Sequence, residues 1–334
     1  MAATVREVAR EAGVSPSTVS RVIRGDRYVS DATVTAVQAA IVKLGYRPDE
    51  AARSIRTGSS KAVGYVVSDV TNPVFGTIFK GAEQRLSERG YSLLLAHSAG
   101  NSAQEAQAIS WLLSRRIDGL ILSVSDERAR HLKSTIASVP TVLLDRAVKG
   151  ARADAVRSDH RYGIQAAVHH LVSLGHVRIA LLGVTDQQYA MRARREAFTT
   201  CPVPPGVELT AVEIESGSIS PRVAQDLVDR VLSSPRRPTA VIAAHTPMLM
   251  EVLRYVNSHG LLIPRNLSLV ACDDLDVCSS YNPPIDVIRR DLETFGRVAA
   301  EALVDRLDHP QGRPYEATLP VELVIRGSSA APPS

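Results

Sequence analysis

Thr4 to Gly25 reads TVREVAREAGVSPSTVSRVIRG, and this stretch decides the fold of the N-terminal segment. Thr4 and Glu7 stand at the S/T-x-x-E spacing of a capping box, which closes the open amides of a first helix. Val5, Val8, Ala9 and Ala12 recur at helical spacing, and Gly13 supplies a turn. A second helix opens at Ser15, its cap, with Pro16 at the first position, where a missing amide costs nothing. Val19, Val22 and Ile23 are expected to face inward and Gly25 to end the helix. Two short helices on a tight Gly turn form a helix-turn-helix. On helix pattern alone, an ordinary helical hairpin fits equally well.

Working outward, a third amphipathic helix runs from a Ser30 cap to about Leu44, burying Val34, Val37, Ile41 and Leu44, and stops at Gly45. Next come Tyr46-Arg47-Pro48, the segment Asp49 to Arg56, and a soft linker, Thr57-Gly58-Ser59-Ser60. EVAREAGVSPSTVSRVIRG, LGYRP, AARSIRTG and VGYVVSDVTNPVF together resemble the lac repressor/purine repressor family of bacterial transcription regulators. The resemblance continues in order through RRIDGLIL, SLGHVRIALLG, RRPTAVIAAH, YNPPIDVIRRDLETFG and LPVELVIRGS, so it spans nearly the whole chain.

The 334 residues suffice for a small head and two domains of ordinary size. The first 60 residues carry nine Lys/Arg against six acids, a net +3 of the +4 total. A basic excess placed there is the electrostatic footprint of phosphate binding. Cys201, Cys272 and Cys278 form neither a disulfide framework nor a metal pattern, and are read as reduced thiols. No signal peptide opens the chain, and no apolar run approaches the roughly 20 residues of a membrane span. A cytoplasmic protein without membrane contact is the expectation, and no cofactor is implied.

From Lys61 onward, short apolar strands alternate with amphipathic helices. The strands expected are Ala62–Ser68, Ser92–Ala96, Gly119–Leu122, Thr141–Leu144, Arg178–Leu182, Val212–Glu215, Ala240–Ala243 and Ser268–Cys272. Gln104–Ser114, Tyr162–Ser173 and Pro221–Leu232 are among the intervening helices. Such alternation implies α/β architecture, with parallel sheets covered on both faces and ligands beyond the carboxyl ends of the strands. The family resemblance adds what periodicity does not: an all-α helix-turn-helix head on a periplasmic-binding-protein-like core of two doubly wound subdomains. Its implied division is a head at 1–47 (motif about 4–24), a hinge helix and linker at 48–60, and an effector-binding core at 61–327. Within the core, subdomain one takes about 61–159 and 290–320, and subdomain two about 160–289 and 321–327. The chain then crosses near Asp159, Arg289 and Pro320, and a flexible Ser/Ala/Pro tail fills 328–334.

By position in the family motif, Pro16, Ser17 and Arg21 fall where base contacts are made. Arg21 can bond guanine O6 and N7 together, Ser17 suits several bases, and Pro16 offers no side-chain donor. Ser15, Thr18, Ser20 and Arg24 read as phosphate contacts, and Thr4 joins the DNA-facing set. A solvated helix surface is the alternative for each hydroxyl. Asp49 to Arg56 resembles the family's hinge helix, too short to hold alone in water and expected to order when two copies meet on DNA. Ile55 stands where Leu is usual, as an apolar wedge for the minor groove, with Arg53 and Arg56 beside it. A plain linker is the competing reading.

The resemblance places Asp69, Asn72, Phe75, Ser123, Asp145, Arg146, Arg194, Ile219, His245, Asp273 and Arg290 in an effector pocket. Ile219 occupies a place where relatives stack an aromatic ring. His245-Thr246 replaces an Asn-Asp pair, with Thr246 expected to cap the following helix. Arg290 stands where Gln is usual. With His245 it should make the cleft more positive and favour a ligand carrying a carboxylate or phosphate, unless Asp69, Asp145 and Asp273 neutralise it internally.

An enzyme of nucleotide-binding type and a stand-alone solute-binding protein are the alternatives, the latter expected to carry a signal peptide and no DNA head, and the former weighed on its motifs. Against the enzyme stand the missing G-x-G-x-x-G, P-loop, nucleophile elbow and metal-spaced His set. His169 and His170 should point to different sides of one helix. The reading is therefore an effector-responsive regulator, most simply a repressor, bound to double-stranded palindromic operator DNA. Leucine heptads are missing, so a homodimer is expected.

Overall fold

The computed structural model describes residues 3–23, 25, 28–46, 58–214 and 221–333. Two compact units result, Met1–Ser60 and Lys61–Ser334.

In the first unit, α1 (Val5–Glu11), α2 (Pro16–Ile23) and α3 (Asp31–Leu44) follow the caps read from the sequence. Thr4 Oγ1 accepts from the Glu7 amide at 3.4 Å, and Glu7 Oε2 accepts from the Thr4 amide at 2.7 Å. Ser15 Oγ accepts from the Thr18 amide at 3.1 Å, and Gly13 makes the intervening turn at φ +64°. α3 begins on Ser30 and stops at a left-handed Gly45, where the amides of Gly45 and Tyr46 donate to the carbonyls of Val42 and Ile41. Val8, Ala9, Val19, Val37 and Ala40 form the core, ringed by Val5, Val22, Ile41 and Leu44 among others. Ile23 departs from expectation and is 36% exposed. So small a unit has little interior, and the last residue of α2 is left at its surface.

The second unit holds two six-stranded sheets. The first contains β1 (Ala62–Val67), β2 (Ser92–His97), β3 (Gly119–Leu122), β4 (Thr141–Leu144), β5 (Asp154–Ser158) and β11 (Glu316–Leu319). Its order is β11-β5-β4-β3-β1-β2, parallel throughout. The second contains β6 (Arg178–Val184), β7 (Glu208–Glu213), β8 (Ala240–Ala243), β9 (Ser268–Cys272), β10 (Asp286–Arg290) and β12 (Val321–Val324). Its order is β12-β10-β9-β8-β6-β7, with only β12 antiparallel to its neighbour.

Helices cover both faces of each sheet, as parallel strands buried on two sides require. Around the first sheet run α4 (Pro73–Glu88), α5 (Ser102–Ser114), α6 (His131–Ser138) and α12 (Leu292–Asp308). α7 (His160–Ser173), α8 (Tyr189–Thr199), α9 (Pro221–Leu232) and α10 (Thr246–Ser258) serve the second sheet, with the short α11 (Asp276–Ser280) after β9. Four apolar clusters fill the layers. α4 and α12 touch backbone to backbone, because a Cβ on Gly81 or Gly296 would overlap a carbonyl of the other helix.

After Ser158 the chain leaves the first sheet for the second, returns after Arg290, and crosses again at Pro320. Asp159 and Asp291 cap α7 and α12 at the first two crossings. Two expectations are corrected. The strand expected at Val212–Glu215 is β7, Glu208–Glu213, an edge strand whose alternating exposure hides it from a search for continuous apolar runs. The tail is not loose from Ser328. Ser328 is wholly buried, donates to Leu269 O at 2.5 Å and accepts from the Asp286 amide at 2.7 Å. Ala330 accepts from His176 and its amide donates to Ser268.

Cys201, Cys272 and Cys278 are unpaired and buried, and burial pushes all three thiols up. Among the described residues no helix is long and apolar enough to cross a membrane.

Candidate DNA-reading head and effector cleft

α2 presents Pro16, Ser17 and Arg21 as exposed side chains, with Ser17 and Arg21 one helical turn apart. Its hydroxyls also serve the helix itself. Ser15 Oγ lies 2.7 Å from Ser17 Oγ and 2.8 Å from Thr18 Oγ1, while Ser20 donates to Pro16 O at 3.0 Å. Among the described residues of α2, Arg21 is thus the long cationic group. Thr4 is spent in its capping box. Arg24, Arg53, Ile55 and Arg56 lie outside the described residues.

In the second unit, the carboxyl ends of β1, β3, β4, β8, β9 and β10 converge on a cavity of about 380 Å³. Asp69, Asn72, Phe75, Ser123, Asp145, Arg146, Arg194, His245, Asp273 and Arg290 all line it. Ile219 lies outside the described residues. The sequence reading missed Ser125, Gln188, Ala190, Met191, Thr246 and Phe295, which are also among the lining residues. Gln188 to Met191 follow β6, so the strand-end rule would have found them had that strand been carried beyond Leu182.

Arg290 is paired within the cleft. Arg290 donates through Nε to Asp273 Oδ1 at 2.5 Å and through Nη1 to Asp145 Oδ2 at 2.6 Å. His160 Nε2 lies 3.1 Å from the other Asp145 oxygen, Oδ1, which also accepts from the Ser158 amide. Burial works against the Asp145 charge, yet His160 and then Arg290 hold its carboxyl well below the usual range. Asp273 is lowered likewise: burial opposes, and Arg290 and Arg194 prevail. Arg146 donates to Val124 O at 2.6 Å and to Asp145 O at 2.9 Å, and Arg194 donates to Ala244 O.

Both expectations for His245-Thr246 change. His245, not Thr246, caps α10: its Nδ1 accepts from the Met248 amide at 3.3 Å, and its Nε2 donates to Gly183 O at 3.0 Å. Burial, then the Arg194 charge, push its pKa down to about 4, so the ring is neutral and adds no positive charge. Thr246 Oγ1 instead donates to Asn72 Oδ1 at 3.3 Å, joining the N-termini of α10 and α4. The expectation of a positive cleft therefore fails. Three guanidinium groups face three carboxylates there, and the neutral imidazole leaves that balance untouched.

Polar capacity remains nonetheless. Asn72 Nδ2, Arg146 Nη2, Arg194 Nη2 and Asp69 Oδ2 make no hydrogen bond to the described residues. Phe75, Ile78, Met191 and Phe295 supply apolar wall. His169 and His170 diverge as expected, one toward Pro202 O and the other toward Ser329. Among the described residues no His/Cys/Asp/Glu group is arranged to hold a metal ion.

Residues 4–49 match the family described as bacterial regulatory proteins, lacI family, and residues 168–329 match the periplasmic binding protein-like domain. The chain is 30% identical to the ribose operon repressor of Escherichia coli (strain K12), over 98% of its own length and 100% of the relative's. It belongs to the LacI family of bacterial regulatory proteins. This LacI-family chain is a DNA-binding transcription regulator and not an enzyme. It is also 28% identical to the HTH-type transcriptional repressor PurR of Photobacterium profundum, covering 98% of each chain. Among solved structures it resembles the lac repressor dimer bound to operator and an anti-inducer. The TM-score is 0.85 at 27% identity, covering 99% of this chain and 100% of that one. A transcriptional regulator CelR–cellobiose complex matches with a TM-score of 0.69 at 28% identity, over 98% and 99% of the two chains.

Proposed function

We propose that this chain is a cytoplasmic repressor that grips a palindromic operator as a homodimer and answers to a small neutral polyhydroxylated ligand in the cleft. α2 reads the major groove through Arg21 and Ser17, and Ile55 with Arg53 and Arg56 serves the minor groove at the operator centre. The charge balance of the cleft supports a neutral effector. Arg290 is bonded to two carboxylates already, so the cation that replaces the family's usual Gln needs no anionic ligand. The unspent polar atoms include both donors and an acceptor, the mixture that sugar hydroxyls satisfy. Relatives named or solved with ribose and cellobiose point the same way. Closing the two sheet domains around the ligand shifts the equilibrium between operator-binding and released forms.

An in vitro selection of operator sequences, followed by titration of the selected duplex with D-ribose, cellobiose and ribose 5-phosphate, tests this reading. A palindrome should emerge, and a neutral sugar should change operator affinity. Selection that returns no sequence preference would remove the regulator assignment of the head. A response to the phosphate alone would remove the neutral-effector assignment.

A further inference from the structure

Glu127 sits in the loop after β3, on the first-sheet side of the cleft mouth, and is 6% exposed. Its Oε1 accepts from the Ala147 amide at 3.0 Å and from the Tyr189 amide at 2.6 Å. Its Oε2 accepts from Arg192 Nη2 at 2.6 Å. Tyr189 is the first residue of α8, whose own N-cap residue, Gln188, makes no side-chain cap bond. The orphan amide that every helix start exposes is therefore served here by a carboxylate from the opposite domain. Around it, Gln188 Nε2 donates to Ser125 O at 3.1 Å, the Glu127 amide to Gln187 O at 3.3 Å, and Arg128 Nη2 to Asp186 Oδ2 at 2.8 Å. The Arg128–Asp186 pair is exposed and contributes little, whereas the Glu127 side chain is buried and its contacts are partly buried.

We propose that Glu127 is a positioning residue that caps α8 across the cleft. It ties the ordering of the effector-facing residues Ala190, Met191 and Arg194 to closure of the two lips. The inference rests on the effector-cleft reading of the same site. Opening the cleft uncaps α8 and frees Arg192 at once, so ligand-binding geometry exists only in the closed form. Charged neighbours from both lips face the carboxylate: Arg192 beside it, Arg146 further in, and Asp126 and Asp186 at the rim.

Hydrogen exchange on the full-length protein without ligand tests the cap. Glu127→Ala should speed exchange of the first-turn amides of α8 fivefold or more while leaving α7 unchanged. Glu127→Gln, which keeps an acceptor for both amides, should recover most of that protection. Closure itself is read by a cysteine pair, Arg128→Cys with Asp186→Cys, oxidised under mild conditions. Its cross-linking rate should fall several-fold when Glu127 is Ala. Unchanged exchange in Glu127→Ala overturns the cap, and faster exchange with unchanged cross-linking reduces Glu127 to a local helix contact. Neither readout needs a sugar, so failure of the sugar titration removes the effector reading and leaves this result standing.

Discussion

Arg290 Nη1 lies 2.6 Å from Asp145 Oδ2 and so joins the end of β10 in the second sheet to the end of β4 in the first. The same guanidinium holds Asp273 at the end of β9. One side chain thus ties the floor of the cleft from both sides. Asp145 is bonded on both oxygens and Asp273 takes its side-chain bond from Arg290, the kind of hydrogen bonding under which a buried ion network is tolerated.

Replacing Arg290 with Gln should cost about 3–5 kcal/mol at pH 7.5, since two buried carboxylates lose their shared partner. In the wild type both carboxyls are held below their ordinary pKa, so their contribution is present above about pH 4 and lost as pH falls through the folded value. In Arg290→Gln the folded carboxyls shift upward and take up a proton as pH falls, so the deficit should shrink toward pH 5. Urea unfolding at the two pH values measures this. Equal midpoints for variant and wild type at pH 7.5 would show that the pair carries no stability.

The head was legible because its signals are local: Thr4 with Glu7, Ser15 with Pro16, and Ser30 and Gly45 each act within a few residues. β3, β4, β8 and β9 were equally clear, being short apolar runs buried on both faces. β5, β10, β11 and β12 were not. Asp154, Arg157, Asp286, Arg289 and Glu322 interrupt or flank their apolar residues, and pairing with distant strands defines them. The cleft positions were legible through family resemblance, but their electrostatics were not. Nothing near Arg290 in the chain reveals Asp145 as its partner, and nothing near His245 reveals the Gly183 carbonyl.

His245 should leave a signature in the pH dependence of stability. Its folded pKa of about 4 lies below the ordinary value of 6.5, so between those limits the unfolded chain binds the proton more readily. Stability should therefore fall as pH drops from about 6.5 toward 4, by up to roughly 3 kcal/mol from this one ring. His245→Asn keeps a helix cap and removes the titration. Its stability profile should be flatter across that window, and profiles of equal slope would show that the ring is not held neutral.

Arg21→Ala should weaken the selected operator by about 1–3 kcal/mol and relax preference at one symmetric guanine position. Random duplex should lose far less. Fluorescence anisotropy on both DNAs separates the outcomes, and equal losses would make Arg21 a phosphate contact.

Ile55→Gly should lower operator affinity while leaving effector binding and the thermal unfolding of the 61–334 unit unchanged, because the proposed wedge is lost. Tight operator binding by the variant would return this segment to the status of a plain linker.

The C-terminal residues give the last test. Asp286 is wholly buried, and its Oδ1 accepts from the amides of Arg326, Gly327 and Ser328, while Ser329 donates to Oδ2. Ser328 Oγ in turn satisfies Leu269 O and the Asp286 amide. Truncation after Gly327 removes both serines and leaves these buried groups short of partners, each worth about 1–3 kcal/mol when unsatisfied. Water entering the vacated edge offsets part of that, so a net loss of about 2–5 kcal/mol is expected in urea unfolding. Removing Pro333 and Ser334 alone should change little, since the partners of Asp286 and Leu269 named above lie at residues 326–329. A full truncation as stable as the intact chain would mean that residues 328–330 merely rest on the second sheet, and that Asp286 is held by Arg326 and Gly327 alone.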